Sequence, residues 1–323
     1  PLSCEMAGVQ PALPDSIKRH RSRSMGEMAA IPPSNMLLGV PKKGRLFEKC
    51  SKLLQEGVGL DYRKSERVDV AHCTNMPVTL VFLPAHDIAT YVGEGNVDMG
   101  ITGLDVIAET EPDNEDLVVE MELGFGKCVL AVQGPVTDGF DSAKHLAGQR
   151  IVTSFPLVAE KFFKQFETEA TGKTRIKFVS GSVEAACGLG LADGVVDLVE
   201  TGTTMRAAGL EIVEKIMDTQ AVLIKNKNAE HSTMVDTIKK RIEGWQTATK
   251  YQMIQYNVEK SNLDKALQIT PGKRSPTVSS LEETGWFAVS ALVKKSDAAG
   301  IMDNLHAVGA DSILIFNISN SRM

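Results

Sequence analysis

The chain has 323 residues, of which 43% are hydrophobic and 24% charged, and a formal net charge of −6. That length exceeds one ordinary core and predicts two or three domains, while the acidic balance excludes a general nucleic-acid-binding face. Scattered cysteines (Cys4, Cys50, Cys73, Cys128, Cys187) without a C-x-x-C pair suit free thiols in a reducing cytosol, and no apolar run approaches the roughly 20 residues of a membrane span.

Residues 1–34 carry Lys18, Arg19, Arg21 and Arg23 among prolines and read as a disordered leader. Glu5 and Asp15 count against a transit peptide. Residues 36–40 form a short apolar strand that empties into Pro41-Lys42-Lys43-Gly44-Arg45 and an amphipathic helix through Leu54. Cations at a strand-to-helix joint offer an anion site, with a solvated basic turn as the bland alternative. Strands follow at 68–71 and 78–83. The second runs into His86 and Asp87, which look like a catalytic pair but, being adjacent, equally read as a helix cap, so they are given a substrate-lining role at most. Residues 97–105 are another strand ending in a small-residue turn, whose Thr102, Gly103 and Asp105 are candidates to line a cleft. Strands at 117–119 and 128–132 close a first lobe over 35–132.

A second lobe, 133–213, opens with a strand at 150–152 that runs into Thr153 and Ser154. A helix at 159–167 follows. A strand at 176–179 then leads to Ser180-Gly181-Ser182-Val183-Glu184, and a small-residue helix covers 185–191. Glu184 either faces the cleft at the strand's carboxyl end or only answers a helix dipole. Residues 195–210, VVDLVETGTTMRAAGL, are the most informative stretch. A branched apolar strand ends in Glu200-Thr201-Gly202-Thr203-Thr204, and Gly209 is placed to end the helix that follows. Gly202 admits close backbone approach, and each threonine hydroxyl can donate to a phosphate oxygen. Asp197 and Glu200 stand before the loop, placed to accept from hydroxyls or to meet a metal. The alternative is that Thr201 or Thr203 merely caps the helix. A strand at 222–224 crosses back, so 214–230 belongs to the first lobe.

Residues 231–323 change pattern. A charged linker helix (234–249) precedes strand, helix, strand, strand, helix and strand, the βαββαβ order of a ferredoxin-like module. Such a module suits effector binding or subunit contacts.

These motifs carry a resemblance. E-T-G-T-T-M-R-A-A-G-L after V-V-D-L-V looks like the phosphoribosyl-pyrophosphate loop of ATP phosphoribosyltransferases. P-K-K-G-R, V-G-E-G-N-V-D-M-G-I-T-G-L-D and S-G-S-V-E are similar to that family's other signatures in order and spacing. T-P-G-K-R-S-P-T and G-A-D-S-I-L resemble the regulatory domain of its long form, with fungal members the nearest likeness. The resemblance covers residue 36 to the end.

It implies an α/β fold: a two-lobe core like the type II periplasmic binding proteins, plus a C-terminal ferredoxin-like, ACT-like domain. It implies a cytoplasmic enzyme that transfers the phosphoribosyl group of phosphoribosyl pyrophosphate (PRPP) to ATP in the first step of histidine biosynthesis. Mg2+ would accompany pyrophosphate, and the protein would be an allosteric homo-hexamer inhibited by histidine. By residue, Glu200, Thr201, Gly202, Thr203 and Thr204 form the loop, and Asp197 and Glu184 hold ribose hydroxyls. Lys43 and Arg45 bind pyrophosphate, and no protein metal ligands are implied. Thr277 and Ala310 would border the histidine pocket. Ala208 departs from the asparagine that many members carry there, so that side-chain contact is absent.

Two rival readings remain at this stage. A non-catalytic two-lobe sensor explains the lobes but gives no purpose to two anion sites with acids. A base-salvage phosphoribosyltransferase usually has adjacent acids before its loop, whereas Asp197 and Glu200 are separated.

Overall fold

A computed structural model describes residues 31–64, 68–110 and 115–322, except for the side chain of Arg45, so the leader predicted over 1–34 lies almost wholly outside the described residues. The first stretch builds β1 (Met36–Pro41), α1 (Gly44–Lys52), β2 (Val70–His72), β3 (Val78–Leu83), α2 (Ala85–Gly93), β4 (Met99–Gly103), α3 (Leu104–Thr110) and β5 (Leu117–Glu122). The second builds β6 (Cys128–Pro135), β7 (Arg150–Thr153), α4 (Pro156–Phe163), β8 (Arg175–Phe178), α5 (Ala185–Gly188), β9 (Gly194–Val199), α6 (Thr203–Ala207) and β10 (Leu210–Thr219). β11 (Ala221–Asn226) and the long α7 (Ser232–Lys250) follow.

The two sheets repeat one plan. The first has the order β2-β3-β1-β4-β11-β5 and the second β10-β6-β9-β7-β8. In each, a central strand (β1, β7) lies between two parallel neighbours, and an antiparallel strand (β11, β6) is inserted next. In the first sheet that inserted strand, β11, returns from beyond the second sheet, which is the crossing back predicted for residues 222–224. Burial explains the composition. All residues of β1 (MLLGVP) are buried, as a central parallel strand covered on both faces requires.

Three differences from the sequence reading have physical causes. The strand at 128 was predicted to close the first lobe, but β6 is bonded into the second sheet between β9 and β10. A run of apolar residues records burial and not which sheet provides it. β10 has no counterpart among the predicted elements: register shifts between Ile212 and Glu214 and between Lys215 and Met217 break its period of two. α7 is predicted as a linker, yet Val235, Ile238 and Ile242 sit at helical spacing in the core of the first lobe. Glu120, a residue of β5, receives Lys239 from α7 at 2.6 Å and Lys225 from β11 at 2.5 Å, which pins the helix there.

Two adjacent crossings join the lobes, at residues 123–127 and at Gln220. They run side by side: Thr219 pairs with Cys128, the Leu123 N–H donates to Ala221 O and the Ala221 N–H to Phe125 O. A third link lies outside the strands. The Glu109 carboxylate at the end of α3 accepts the Leu157 and Val158 N–H groups at the start of α4, each at 2.9 Å. It supplies from one lobe the cap that the other lobe's helix lacks.

The last stretch forms β12 (Tyr251–Glu259), α8 (Leu263–Ile269), β13 (Thr277–Ser280), β14 (Trp286–Lys294), α9 (Ala298–Ala307) and β15 (Asp311–Asn317). Its antiparallel sheet, β13-β14-β12-β15, has the ferredoxin-like order predicted, with its own core around Tyr256, Val289 and Leu305.

Candidate functional site

The most developed site lies where β9 ends. Asp197 sits on the same face of the strand as buried Val195, and Glu184 heads the neighbouring α5. Burial pushes the Asp197 carboxyl up to about 6, helped by the negative charge of Glu184 and opposed by the Leu198 N–H that donates to Oδ1 at 2.8 Å. A carboxylate held at that cost suits an acceptor awaiting hydroxyl donors. Beneath it, buried Gln133 donates from Nε2 to the Asp197 carbonyl at 3.3 Å, while its own Oε1 is buried without a partner.

The loop follows directly. Gly202 is the N-cap of α6 at φ 71°, and no side chain caps that helix. Thr201 and Thr203 instead share a hydrogen bond at 3.0 Å between their hydroxyls. The simple-cap alternative is therefore not the arrangement observed, and the exposed hydroxyls remain at the cleft surface. Gly202 is required twice over: its φ is left-handed, and an added Cβ would lie 2.6 Å from Arg206 Nη1. Arg206, which the sequence reading passed over, folds back so that Nη2 donates to Thr201 O at 2.8 Å. Its signal was a cation one turn after the T-G-T-T run, and this puts a guanidinium beside the threonines.

The first lobe carries the other predicted anion ligands. Lys43 is the extended N-cap of α1 with an exposed side chain, and Arg45 lies in that helix's first turn, its side chain outside the described part. Lys42 is drawn away to Asp69 at 2.7 Å, and Lys64 donates to Lys42 O at 2.8 Å while covering Phe47. Of the two adjacent lysines, only Lys43 is left for a ligand among these contacts.

The other predicted lining residues divide. Asp87 lies in the first turn of α2, half exposed, 3.4 Å from His86 Nε2. Thr102 is fully buried and donates to Ala85 O at 2.6 Å, so its hydroxyl serves the fold. Asp105 is buried and accepts the Thr219 hydroxyl at 2.5 Å while its own N–H donates back to that oxygen at 3.1 Å, which ties α3 to the crossing. Its carboxyl is raised above the usual range by burial. The carboxylate folds against Gly103, where a side chain would collide with it. Cys128, at the same crossing, is pushed up to about 11 by burial and then by the negative charges of Asp105, Glu200 and Asp197. Its thiol thus marks the point where acids of both lobes converge.

Thr277 and Ala310 are not brought together within one chain. Thr277 opens β13 on one edge of the module's sheet, and Ala310 precedes β15 on the other edge, buried in the module core.

Comparison with known proteins adds to this geometry. Residues 84–244 match the family described as ATP phosphoribosyltransferase, and residues 248–320 match the HisG C-terminal domain. The ATP phosphoribosyltransferase of Yarrowia lipolytica is 48% identical over 290 residues, covering 89% of this chain and 97% of that protein. That of Saccharomyces cerevisiae is 45% identical over 291 residues, covering 89% and 97%. A chain of the ATP phosphoribosyl transferase (HisG:HisZ) complex from Thermotoga maritima is similar in structure, with a TM-score of 0.53 and 26% identity, and covers 64% of this chain and 98% of its own length.

Proposed function

The chain belongs to the ATP phosphoribosyltransferase family, and on that premise we propose how its two lobes divide the work of joining ATP to PRPP, the first step of histidine biosynthesis. In this reaction an adenine ring nitrogen forms a bond to the anomeric carbon of the ribose, and the bond from that carbon to pyrophosphate breaks. The ring nitrogen is unprotonated near neutral pH, so attack needs no strong base. Catalysis then rests on positioning and on answering the charge of the leaving group.

Thr201, Gly202, Thr203 and Thr204 receive the ribose 5-phosphate, with Arg206 adding charge beside them. Asp197 and Glu184 accept the ribose hydroxyls, and Glu200 closes the loop's entrance. Lys43 and Arg45 meet the pyrophosphate from the first lobe, where Arg45 adds a planar fork to the point charge of Lys43. Asp87 lines the ATP side, and Asp105 holds the crossing on which the lobes meet. The observation that carries this reading is the join at β9: a half-buried carboxylate raised to about 6 next to a left-handed glycine loop with exposed hydroxyls. Among the described residues no group of three or more His, Cys, Asp and Glu side chains is placed to hold a metal ion. In this reading magnesium enters as a companion of the PRPP substrate, carried by its phosphate oxygens.

The C-terminal module is the sensor of histidine in this reading, and the enzyme is a cytoplasmic homo-hexamer. Support comes from β15, where Leu314 and Phe316 are 52% and 48% exposed, an apolar pair suited to a second copy. Thr277 and Ala310 lie on opposite edges of one module, so a pocket that uses both needs two copies.

One assay tests the whole reading. Pyrophosphate release should require ATP and PRPP together, should not proceed with adenine in place of ATP, and should fall with millimolar histidine. Turnover with adenine would favour base salvage. No release with either purine would leave a binding protein, and indifference to histidine would remove the sensor.

A further inference from the structure

α1 does not end at Lys52. It continues without a break as a π-helical segment, Leu53–Val58, closed by Gly59 in the left-handed conformation. The combined helix spans about 20 Å at an ordinary rise per residue. One end carries Lys43 and Arg45, and the other end is gripped by parts of the chain more than 180 residues away in sequence.

The grip has several points. Val58 O accepts Arg241 Nη1 of α7 at 2.7 Å, and Gly57 O accepts Asn320 Nδ2 of the C-terminal tail at 2.7 Å. Trp245 of α7 lies so close over Gly57 that a Cβ there would be 2.6 Å from its Cγ. The tail itself crosses α7 at Gly244, where any side chain would collide with the Ser321 carbonyl. The tail leaves β15, whose Asn317 pairs with Gln252 at the start of β12, and β12 continues directly from α7. It thus returns from the edge of the C-terminal module along α7 to the first lobe. Carbonyls at the end of a helix have no partner within it, and a π turn is a local irregularity that side chains from outside must satisfy. Here those side chains come from α7 and from the tail.

We propose that Asn320, with Arg241 beside it, is a positioning residue for the pyrophosphate site: by holding the π turn it sets the placement of Lys43 and Arg45 at the far end of the same helix. The inference rests on the reading of Lys43 and Arg45 as pyrophosphate ligands. It gives the C-terminal module a covalently continuous route to the catalytic lobe, since a module that withdraws the tail releases Gly57 O. A turn freed in this way can return to α geometry, which moves the helix register by one residue, about 1.5 Å along its axis. A helix whose two ends answer to different domains is the kind of two-state element that a binding event can bias.

The test uses the full chain with Asn320→Ala, Asn320→Asp and Lys43→Ala. Calorimetry measures pyrophosphate binding, steady-state assays give the KM for ATP, and hydrogen exchange follows residues 53–59. Asn320→Ala should weaken pyrophosphate binding about three- to ten-fold, the scale of one lost hydrogen bond, and leave the KM for ATP within about two-fold. Asn320→Asp, which sets a carboxylate against a carbonyl, should weaken it further. Exchange should quicken at residues 53–59 in both. Parent-like pyrophosphate binding in the Asn320 variants, with binding lost in Lys43→Ala, would overturn the positioning role alone. Parent-like binding in all three would overturn the pyrophosphate reading and the positioning role with it. Lower thermal stability without change in pyrophosphate binding would reduce Asn320 to a structural clamp.

Discussion

In the proposed reading the first lobe offers an anion Lys43 at the extended N-cap of α1, on an exposed side chain with no capping bond. The second lobe offers one buried Gly202 at φ 71°, paired threonine hydroxyls and a guanidinium bonded to the loop's own backbone. The sheets beneath are built alike, so the contrast is not inherited from the fold. A loop with fixed donors is organised before the ligand arrives and suits a group bound throughout the reaction. An exposed lysine at a helix start suits a group whose charge grows as it leaves, because its charge answers that change. On the proposed reading the lobes separate holding the ribose phosphate from releasing pyrophosphate.

The largest effect should come from the leaving-group side. Lys43→Ala together with Arg45→Ala should lower kcat by about 10²–10³, in the range for groups that answer transition-state charge, with a smaller change in the KM for ATP. If kcat holds and only KM values rise, the cations serve ground-state binding and the contrast between lobes fails.

Next in size is the preorganised loop. Gly202→Ala should raise the KM for PRPP by about 10- to 100-fold, since a Cβ is strained at that φ and strikes Arg206. Arg206→Gln should raise it about tenfold by removing the charge and the bond to Thr201 O. Equal KM values for PRPP in parent and variants, by initial-rate kinetics, would assign the 5-phosphate elsewhere.

The smallest effect sharpens the comparison through pH. Asp197 titrates near 6 in the folded chain against an ordinary 3.8. The raised value means that the folded chain holds a proton which the unfolded chain releases between those two pH values. The stability this gives is full below about pH 4 and is lost as pH rises through 6. Asp197→Asn should therefore raise Tm by about 3–6 °C at pH 7.5 and match the parent near pH 4. The same variant should lose the improvement in PRPP binding that the parent shows as pH rises through 6. A parent with flat PRPP binding from pH 5 to 7.5 would show that ionised Asp197 does not hold the ribose.

The local structure at the end of β9 was legible in the chain. The run from Val195 to Leu210 names strand, acid, loop and helix in order, because each depends on residues within a few positions: branched apolar side chains for β9, a left-handed glycine for the turn and Gly209 for the stop. The C-terminal order of strands and helices was legible for the same reason, since its period-two and helical patterns are local. Long-range pairing decided the rest. Only the fold shows that β6 belongs to the second sheet, that the Thr102 hydroxyl donates to Ala85 O, and that Asp105 is bound to Thr219 at a separation of 114 residues. Only the fold lays α7 on the first lobe and brings Asn320 to Gly57. Hydrophobic periodicity states that a face is buried but not by what, and the partner of a buried carbonyl or carboxylate is fixed by packing between segments far apart in the chain.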